Sequence, residues 1–416
     1  MLSDTLITLE MIITGQLLLP AGDRAVDIQP GWIRVERDRI TEVQVGELHP
    51  KANLGGESYL VTPGFIDTHL HLPQIDSFGA FGEQLLDWLN ETIFPAEVAW
   101  ADPDHAESRA RSAMNQLFAC GTTGIVAFAS NHFESTRRSL DAAMDMGMRA
   151  SIGQTLCDME IIPELLIPTT ESLRQARDLL EAYPTGTERV TASLAPRFAL
   201  TCTEELLNGC GALADEFGCI VQTHLAEMEA ECDRACQLHN ATDYTGIYEG
   251  AGLLTERSLF GHSIHLSADE RRRLAAAGSK AAHCPTSNTF LRSGVMNRAQ
   301  CLRDGYGVTL ATDQCAGYEK SMIRVARSML EVTMFVDEKP PSEYEAWWQI
   351  TQGNAEELGW KNNGVLREGA EADIVLIKPE HPWHELRRPL SDLLWTYDDR
   401  WLKTTIANGR IVFSQA

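Results

Sequence analysis

Apolar and polar positions alternate along the middle of the chain in a repeated unit, a short apolar segment followed by a polar loop and a longer amphipathic segment. The short segments are rich in β-branched residues, which favour strands, and cover residues 61–68, 124–130, 149–156, 189–195, 218–224, 258–263, 279–284 and 307–312. Intervening segments such as 171–182 and 268–277 have helical periodicity. Eight such units favour an α/β fold, a (β/α)8 TIM barrel over residues 61–365, rather than an open doubly wound sheet.

The two ends of the chain have a different pattern, with short apolar runs separated by turn residues. Residues 31–43 predict a strand, a turn and a second strand, and residues 374–377 predict another strand. Residues 404–413 predict a strand pair around Asn408-Gly409, a dipeptide that tight hairpins favour. Because neither end could bury a face alone, we predict that residues 1–60 and 366–416 pair into one small β-sandwich domain.

Composition narrows the possible partners and location. The chain has 416 residues and is 44% hydrophobic, which is enough to bury a large core. Its 35 basic and 59 acidic residues give a net charge of −24, so nucleic acid and anionic membranes are poor partners. Residues 1–20 have no basic start and no cleavage site, and the ten cysteines include no Cys-x-x-Cys pair. We therefore expect a soluble, unexported protein of the cytoplasm with reduced thiols.

Five polar residues lie at or just beyond the ends of predicted strands. His69 and His71 are two apart and so share a strand face. His224 and His262 fall at the ends of the fifth and sixth strands, and Asp313 follows the eighth. Each is weak evidence alone, but the carboxyl ends of barrel strands meet at one opening, and a carboxylate buried there needs a cation or strong donors. Together they predict one divalent metal ion, for which zinc is best suited and Fe²⁺ is acceptable.

Other motifs point to no competing chemistry. His132-Phe133-Glu134 has the His-x-Glu of a cytidine-type zinc deaminase, but the chain lacks the Pro-Cys-x-x-Cys that such enzymes also need. The sequence has no His-Glu-x-x-His helix, no phosphate-binding loop of the Walker type and no Gly-x-Ser-x-Gly elbow. Metal-assisted hydrolysis at the barrel mouth is the remaining hypothesis.

The five-residue pattern, preceded by Pro63-Gly64-Phe65-Ile66-Asp67, resembles the amidohydrolase superfamily over nearly the whole chain, and within it the guanine deaminase family. The more specific motifs are His71-Leu72-Pro73-Gln74, the stretch from Gly79 to Asn90 with Phe94-Pro95-Ala96-Glu97, and Pro196-Arg197-Phe198-Ala199. His283-Cys284-Pro285-Thr286-Ser287-Asn288 also matches, although related deaminases and chlorohydrolases share it. The segment 82–97 is the most discriminating, and we expect Trp88 within it to be a packing residue.

The resemblance implies a ligand set and a single metal. The metal ligands of the family correspond to His69, His71, His224 and Asp313. By the same resemblance, His262 would lie beside the metal-bound water. Some superfamily members bridge two metals through a modified lysine on the fourth strand. This chain has no lysine between Lys51 and Lys280, so one metal per site is expected.

The activity that the resemblance implies is hydrolysis of a C–N bond in a cyclic amidine, with guanine converted to xanthine and ammonia in purine metabolism. Asp313 and His262 would orient a metal-activated hydroxide and accept its proton, while Glu227 would protonate N3 and the departing ammonia. Substrate contacts would include His224, Glu227 and Asp313. Gln74 and Arg197 would donate to purine acceptors, and Phe198 would shape the pocket. The family also implies a homodimer.

Two loops depart from the family pattern. Residues 157–160, Cys-Asp-Met-Glu, lack the usual Arg-Asn pair, and Gln314-Cys315-Ala316-Gly317 replaces a more usual run of small residues and glycines. Both loops would border the pocket. A deaminase of another amino-heterocycle, such as 8-oxoguanine, a pterin or an s-triazine, is therefore the second hypothesis, and a non-enzymatic scaffold derived from such a hydrolase is the third.

Overall fold

A computed structural model describes residues 10–80, 85–186, 188–336 and 339–415. The chain divides into two compact units. One comprises residues 67–114 and 124–341, and the other comprises residues 1–66, 115–123 and 342–416. Residues 81–84, which include the first three residues of the discriminating segment 82–97, lie outside the described residues.

The described residues contain two sheets. Their strands, in chain order, are β1 (Glu10–Pro20), β2 (Val26–Glu36), β3 (Arg39–Val45), β4 (Leu54–Pro63), β5 (Phe65–His71), β6 (Thr122–Phe128), β7 (Arg149–Leu156), β8 (Val190–Pro196), β9 (Val221–Leu225), β10 (Ser258–His262), β11 (Lys280–His283), β12 (Gly307–Leu310), β13 (Ile374–Ile377), β14 (Leu402–Ala407) and β15 (Arg410–Ser414).

The terminal strands form one mixed seven-stranded sheet in the order β15-β14-β13-β4-β1-β2-β3. β1 and β4 are parallel, while the other neighbours are antiparallel. Alternate apolar side chains from both ends of the chain, including Ile13, Leu17, Ile33 and Ile374, share one core. The predicted hairpin turn is confirmed: Asn408 and Gly409 have φ of 52° and 70°, the left-handed values that such turns require.

The middle strands form the second sheet, in the order β12-β11-β10-β9-β8-β7-β6-β5, and confirm the predicted parallel (β/α)8 barrel. A bridge between Leu70 and Gln314 links the two ends of this sheet. The carboxylate of Asp67 supports this closure by accepting hydrogen bonds from the backbone N–H and the hydroxyl of Thr312.

The first barrel strand begins later than its apolar pattern predicts. The prediction began at residue 61, but Leu54–Pro63 is β4 of the terminal sheet, and the barrel strand starts at Phe65. Gly64 separates the two. A Cβ at Gly64 would lie 2.0 Å from Oγ1 of Thr123, so only glycine fits this close approach.

Helices alternate with the barrel strands and follow β12. They are α1 (Leu85–Trp88), α2 (Phe94–Val98), α3 (Pro103–Ala119), α4 (Phe133–Met146), α5 (Thr169–Ala182), α6 (Glu204–Phe217), α7 (Glu229–Leu238), α8 (Tyr244–Gly250), α9 (Ala268–Ala276), α10 (Pro285–Phe290), α11 (Arg298–Arg303), α12 (Met322–Val336), α13 (Glu343–Trp348), α14 (Asn354–Glu357) and α15 (Pro389–Thr396). The predicted helices at 171–182 and 268–277 are α5 and α9. Within the described ranges, no helix combines the length and apolar character needed to cross a bilayer.

Candidate active site

The five predicted polar residues converge where the barrel strands end. His69 and His71 are on β5, His224 is on β9, His262 ends β10, and Asp313 follows β12. Strand alternation and parallel pairing carry these distant positions to one opening, as the barrel architecture requires. One compact group has its ligand atoms within 4.8 Å of one another, and it comprises His69, His224, His262 and Asp313.

His71 lies beside this compact group. Nε2 of His71 is 3.1 Å from Nε2 of His224 and 3.5 Å from Oδ1 of Asp313. Nε2 of His69 is also 3.5 Å from Oδ1 of Asp313. The compact group and His71 together bring four imidazoles and one carboxylate to the opening, and both are donor types that bind divalent metals.

Unpaired polar atoms at this centre fit a bound cation. Among the described residues, both ring nitrogens of His69 and Oδ1 of Asp313 are buried without a hydrogen-bond partner. Such burial is costly unless a cation compensates it. Nδ1 of His224 lies 2.6 Å from the carbonyl oxygen of Arg197, so an Nδ1–H donated there leaves Nε2 with its lone pair. The His/Asp cluster is thus compatible with a divalent metal site.

The histidines differ in their electrostatic surroundings. Burial, reinforced by neighbouring positive groups, lowers the pKa of His71 and of His224 well below the ordinary value. Burial also lowers the pKa of His69. These shifts favour the neutral imidazole that metal ligation needs. Burial also tends to lower the pKa of His262, but the negative charges of Glu227 and Asp313 outweigh burial and raise this pKa above its ordinary value.

His262 and Glu227 form the proton-handling side of the site. Nε2 of His262 lies 3.4 Å from Oε2 of Glu227 and 3.8 Å from Oδ2 of Asp313. Burial, with a smaller contribution from the charge of Asp313, raises the pKa of the Glu227 carboxyl to about 7. A carboxyl group with this pKa can both donate and accept a proton near neutral pH.

One short segment, α10 with the residues that follow it, holds each of these three groups. The hydroxyl of Ser287 donates to Oδ2 of Asp313 at 2.6 Å, and the hydroxyl of Ser293 donates to Oε1 of Glu227 at 2.8 Å. Oδ1 of Asn288 lies 2.8 Å from Nδ1 of His262. The sequence motif contained Ser287 and Asn288 without indicating these roles, and no sequence signal indicated Ser293.

The backbone at two of these residues is unusual. His262 has a φ of 66° and Asp313 a φ of 51°, left-handed values that cost of order 1–3 kcal/mol at a non-glycine residue. Hydrogen bonds hold this geometry, because the N–H of Asp313 donates to the carbonyl of His69 and the N–H of Ser263 to the carbonyl of Leu225. The left-handed turn thus occurs where each strand ends and its polar side chain meets the opening.

The opposite side of the opening carries the predicted recognition residues. Nη1 of Arg197 donates to Oε2 of Glu97 at 2.7 Å, and Nε2 of Gln74 donates to Oε1 of Glu97 at 3.3 Å. The Arg197 guanidinium also lies 5.0 Å from the centroid of the Phe94 ring. One of the two N–H donors of the Gln74 amide is therefore engaged by Glu97. Glu97 was part of a sequence motif but was not among the predicted site residues.

A cavity joins the two sides of the opening. Its described lining residues are His71, Gln74, Trp88, Leu89, Arg197, Phe198, His224, Glu227, His262, Leu291, Asp313 and Ala316. Trp88 is buried, as expected of a packing residue, and it also lines this cavity. Ala316 brings one of the two atypical loops to the pocket. Residues 157–160 of the other loop are absent from this lining within the described chain.

Comparisons with known proteins agree with this geometry. A model of the amidohydrolase family matches residues 60–412. Guanine deaminase of Escherichia coli (strain K12) is 33% identical over 369 residues, 86% of this chain and 83% of that protein. A solved structure of the E. coli guanine deaminase has a TM-score of 0.90 at 28% identity, covering 98% of this chain and 100% of the other.

A second solved structure, guanine deaminase from C. acetobutylicum with guanine bound in its active site, has a TM-score of 0.89 at 26% identity and covers 97% of this chain and 100% of the other. The family match extends over far more than half of the chain and includes all five polar residues of the barrel mouth. This chain belongs to the amidohydrolase family.

Proposed function

We propose that this protein hydrolytically deaminates guanine to xanthine and ammonia. The observation that carries the proposal is one cavity with a His/Asp cluster and Glu227 on one side and Arg197 with Gln74 on the other. A hydrolytic centre needs the His/Asp cluster and Glu227. Recognition of a planar heterocycle with polar edges needs hydrogen-bonding groups such as Arg197 and Gln74. The guanine deaminases with similar sequence and structure support the choice of base.

The proposed ligands of the metal are His69, His71, His224 and Asp313; Nε2 of His71 lies 3.1 Å from Nε2 of His224 and 3.5 Å from Oδ1 of Asp313, beside the compact group. His262 is set apart by its raised pKa and its contact with Glu227, so it serves the proton transfers instead. These residues would hold a divalent ion, proposed to be zinc because three imidazoles and one carboxylate suit it, and the ion would supply Lewis-acid activation of the attacking water.

The protein's own groups then move the protons. Glu227, fixed by Ser293 and with a pKa of about 7, is placed to protonate the purine ring nitrogen N3. Once the proton that His262 takes from the water has returned to Glu227, the same carboxyl group protonates the amino group that leaves as ammonia. Asp313 and His262 orient the attacking water and accept its proton, and Asn288 and Ser287 keep both in place. The cavity walls and the Phe198 ring hold the base flat against these groups.

Steady-state turnover of a panel of heterocycles tests the proposal. Purified protein is assayed with guanine, 8-oxoguanine, isoxanthopterin, ammeline and adenine by loss of substrate absorbance, with ammonia release measured in parallel. The matched control is Asp313→Ala, which lacks one proposed ligand. Turnover of guanine by the wild type and none by the control is the expected result. Guanine that stays inert while another base reacts would show that the substrate assignment is wrong.

Metal analysis of the same samples tests the chemistry separately. We expect one zinc per chain, and a metal-free protein that zinc or Fe²⁺ does not activate would favour the non-enzymatic scaffold. A homodimer, a cytoplasmic location and the domain limits 1–60 with 366–416 and 61–365 stay predictions. Sedimentation of the purified protein tests the homodimer.

A further inference from the structure

Glu97 lies behind the recognition side of the cavity and joins its two polar residues. It is 3% exposed, and it is not among the described lining residues. One carboxylate oxygen accepts from Gln74 and the other from Arg197, at 3.3 and 2.7 Å. Because the two oxygens belong to one carboxylate, the groups bound to them are neighbours in the cavity wall.

The carboxylate determines which way the Gln74 amide points. An ionised carboxylate only accepts hydrogen bonds, so the NH₂ end of the amide must face it. The amide oxygen then points away from Glu97. Among the described residues, Oε1 of Gln74 is buried without a hydrogen-bond partner, and Gln74 lines the cavity at 2% exposure. Gln74 therefore has one unpaired acceptor available beside the cavity.

Arg197 offers the opposite polarity. A guanidinium has five N–H donors and no acceptor, and only donors can face the cavity from it. Its pairing with Glu97 and its position over the Phe94 ring fix the plane of the group. A donor and an acceptor thus stand side by side, both oriented by the same buried carboxylate.

We propose that Glu97 is a positioning residue that selects substrates with an N–H beside a C=O, the lactam edge of a 6-oxopurine. This inference rests on the proposed function and deepens it. Gln74 accepts from the ring N–H while Arg197 donates to the adjacent carbonyl oxygen. A 6-aminopurine has an acceptor ring nitrogen beside an amino donor. The Gln74 acceptor would then face the ring nitrogen, which is also an acceptor, and the Arg197 donor would face the amino group, which is also a donor. Sites built on such hydrogen bonds reject the mismatched analogue strongly.

The test compares three substrates that share the 2-amino group: guanine, 2-aminopurine and 2,6-diaminopurine. We expect the wild type to prefer guanine over 2,6-diaminopurine by roughly 10³-fold or more in kcat/KM. Glu97→Gln removes the charge that orients both groups. In this variant we expect the preference to fall at least about tenfold, mainly through a higher KM for guanine, with kcat within about threefold. Glu171→Gln, which breaks an exposed pair with Arg174, is the matched control and should leave the preference unchanged.

A second variant covers the case in which Glu97→Gln does not fold because Arg197 loses its countercharge. Glu97→Asp keeps that charge, but its side chain is one methylene shorter and cannot reach both partners. The preference for guanine over 2,6-diaminopurine should therefore fall in this variant as well. A folded variant with an unchanged preference, or with an equal loss of kcat on all three substrates, would overturn the inference alone. A wild type that does not turn over guanine would overturn the proposed function and this inference together.

Discussion

Replacement of Glu227 by glutamine separates proton transfer from metal binding. The amide keeps the shape of the side chain and can still accept from Ser293, but it cannot deliver a proton. A positioned acid or base contributes about 10²- to 10⁴-fold to the rate, and we expect kcat of Glu227→Gln to fall by that factor. Metal content should stay at the wild-type value because none of the four proposed ligands changes.

The control for this substitution is Glu229→Gln, two residues away and exposed, whose kcat should match that of the wild type. Absorbance assays give kcat, and elemental analysis of the same sample gives the metal. An unchanged kcat in Glu227→Gln would remove Glu227 from the mechanism. Loss of metal together with activity would refute the division of roles between Glu227 and the ligands.

The pH dependence of stability gives an independent test of the same carboxyl group. In the metal-free protein burial raises the pKa of Glu227 from 4.5 to about 7, a difference of about 3 kcal/mol between the two protonation states. The protonated form is the more stable one in the fold, so its stabilisation is complete below pH 4.5 and is lost as the pH rises through 7. Glu227→Gln does not titrate. With metal removed by chelator, the variant should gain stability relative to wild type between pH 4.5 and 8, measured by denaturant unfolding, and a constant difference would contradict the assigned burial.

Three further substitutions test other parts of the molecule. Asp313→Ala should reduce bound metal from one ion per chain to near zero, while His381→Ala in the terminal unit leaves it unchanged; elemental analysis decides. Ser293→Ala removes a hydrogen bond to a carboxylate, so we expect kcat to fall about 10- to 100-fold at unchanged metal content, and a wild-type kcat would show that the contact does not matter. Gly409→Ala would place a Cβ 1.6 Å from a backbone carbonyl oxygen. Gly369 has a similar positive φ, but a Cβ there would meet open space, so Gly369→Ala is the control. Both substitutions strain the backbone, and Gly409→Ala should lower the melting temperature much more than Gly369→Ala because it adds the steric clash.

The strand pattern predicted most of the fold because a parallel barrel buries each strand on both faces and so leaves a continuous apolar run. The predicted strands at 149–156, 258–263 and 307–312 agree with β7, β10 and β12 to within two residues. The first strand was placed too early because Val61 to Pro63 are as apolar as a barrel strand. Their pairing with β13, and that of Val61 with β1, assigns them to the terminal sheet.

The sequence by itself determined the barrel and the convergence of His69, His71, His224, His262 and Asp313, because residues at the carboxyl ends of parallel strands must meet at one opening. Tertiary structure decided how these groups differ. Burial lowers the pKa of three histidines and so favours their neutral form, whereas the charges of Glu227 and Asp313 raise the pKa of His262 and favour its charged form. Likewise, Glu97 reaches Gln74 across 23 residues and Arg197 across 100, and only that contact fixes which end of the amide faces the substrate. The orientation of the Gln74 amide and the charge preference of each histidine depend on neighbours that are distant in the chain, so no local sequence pattern could predict them.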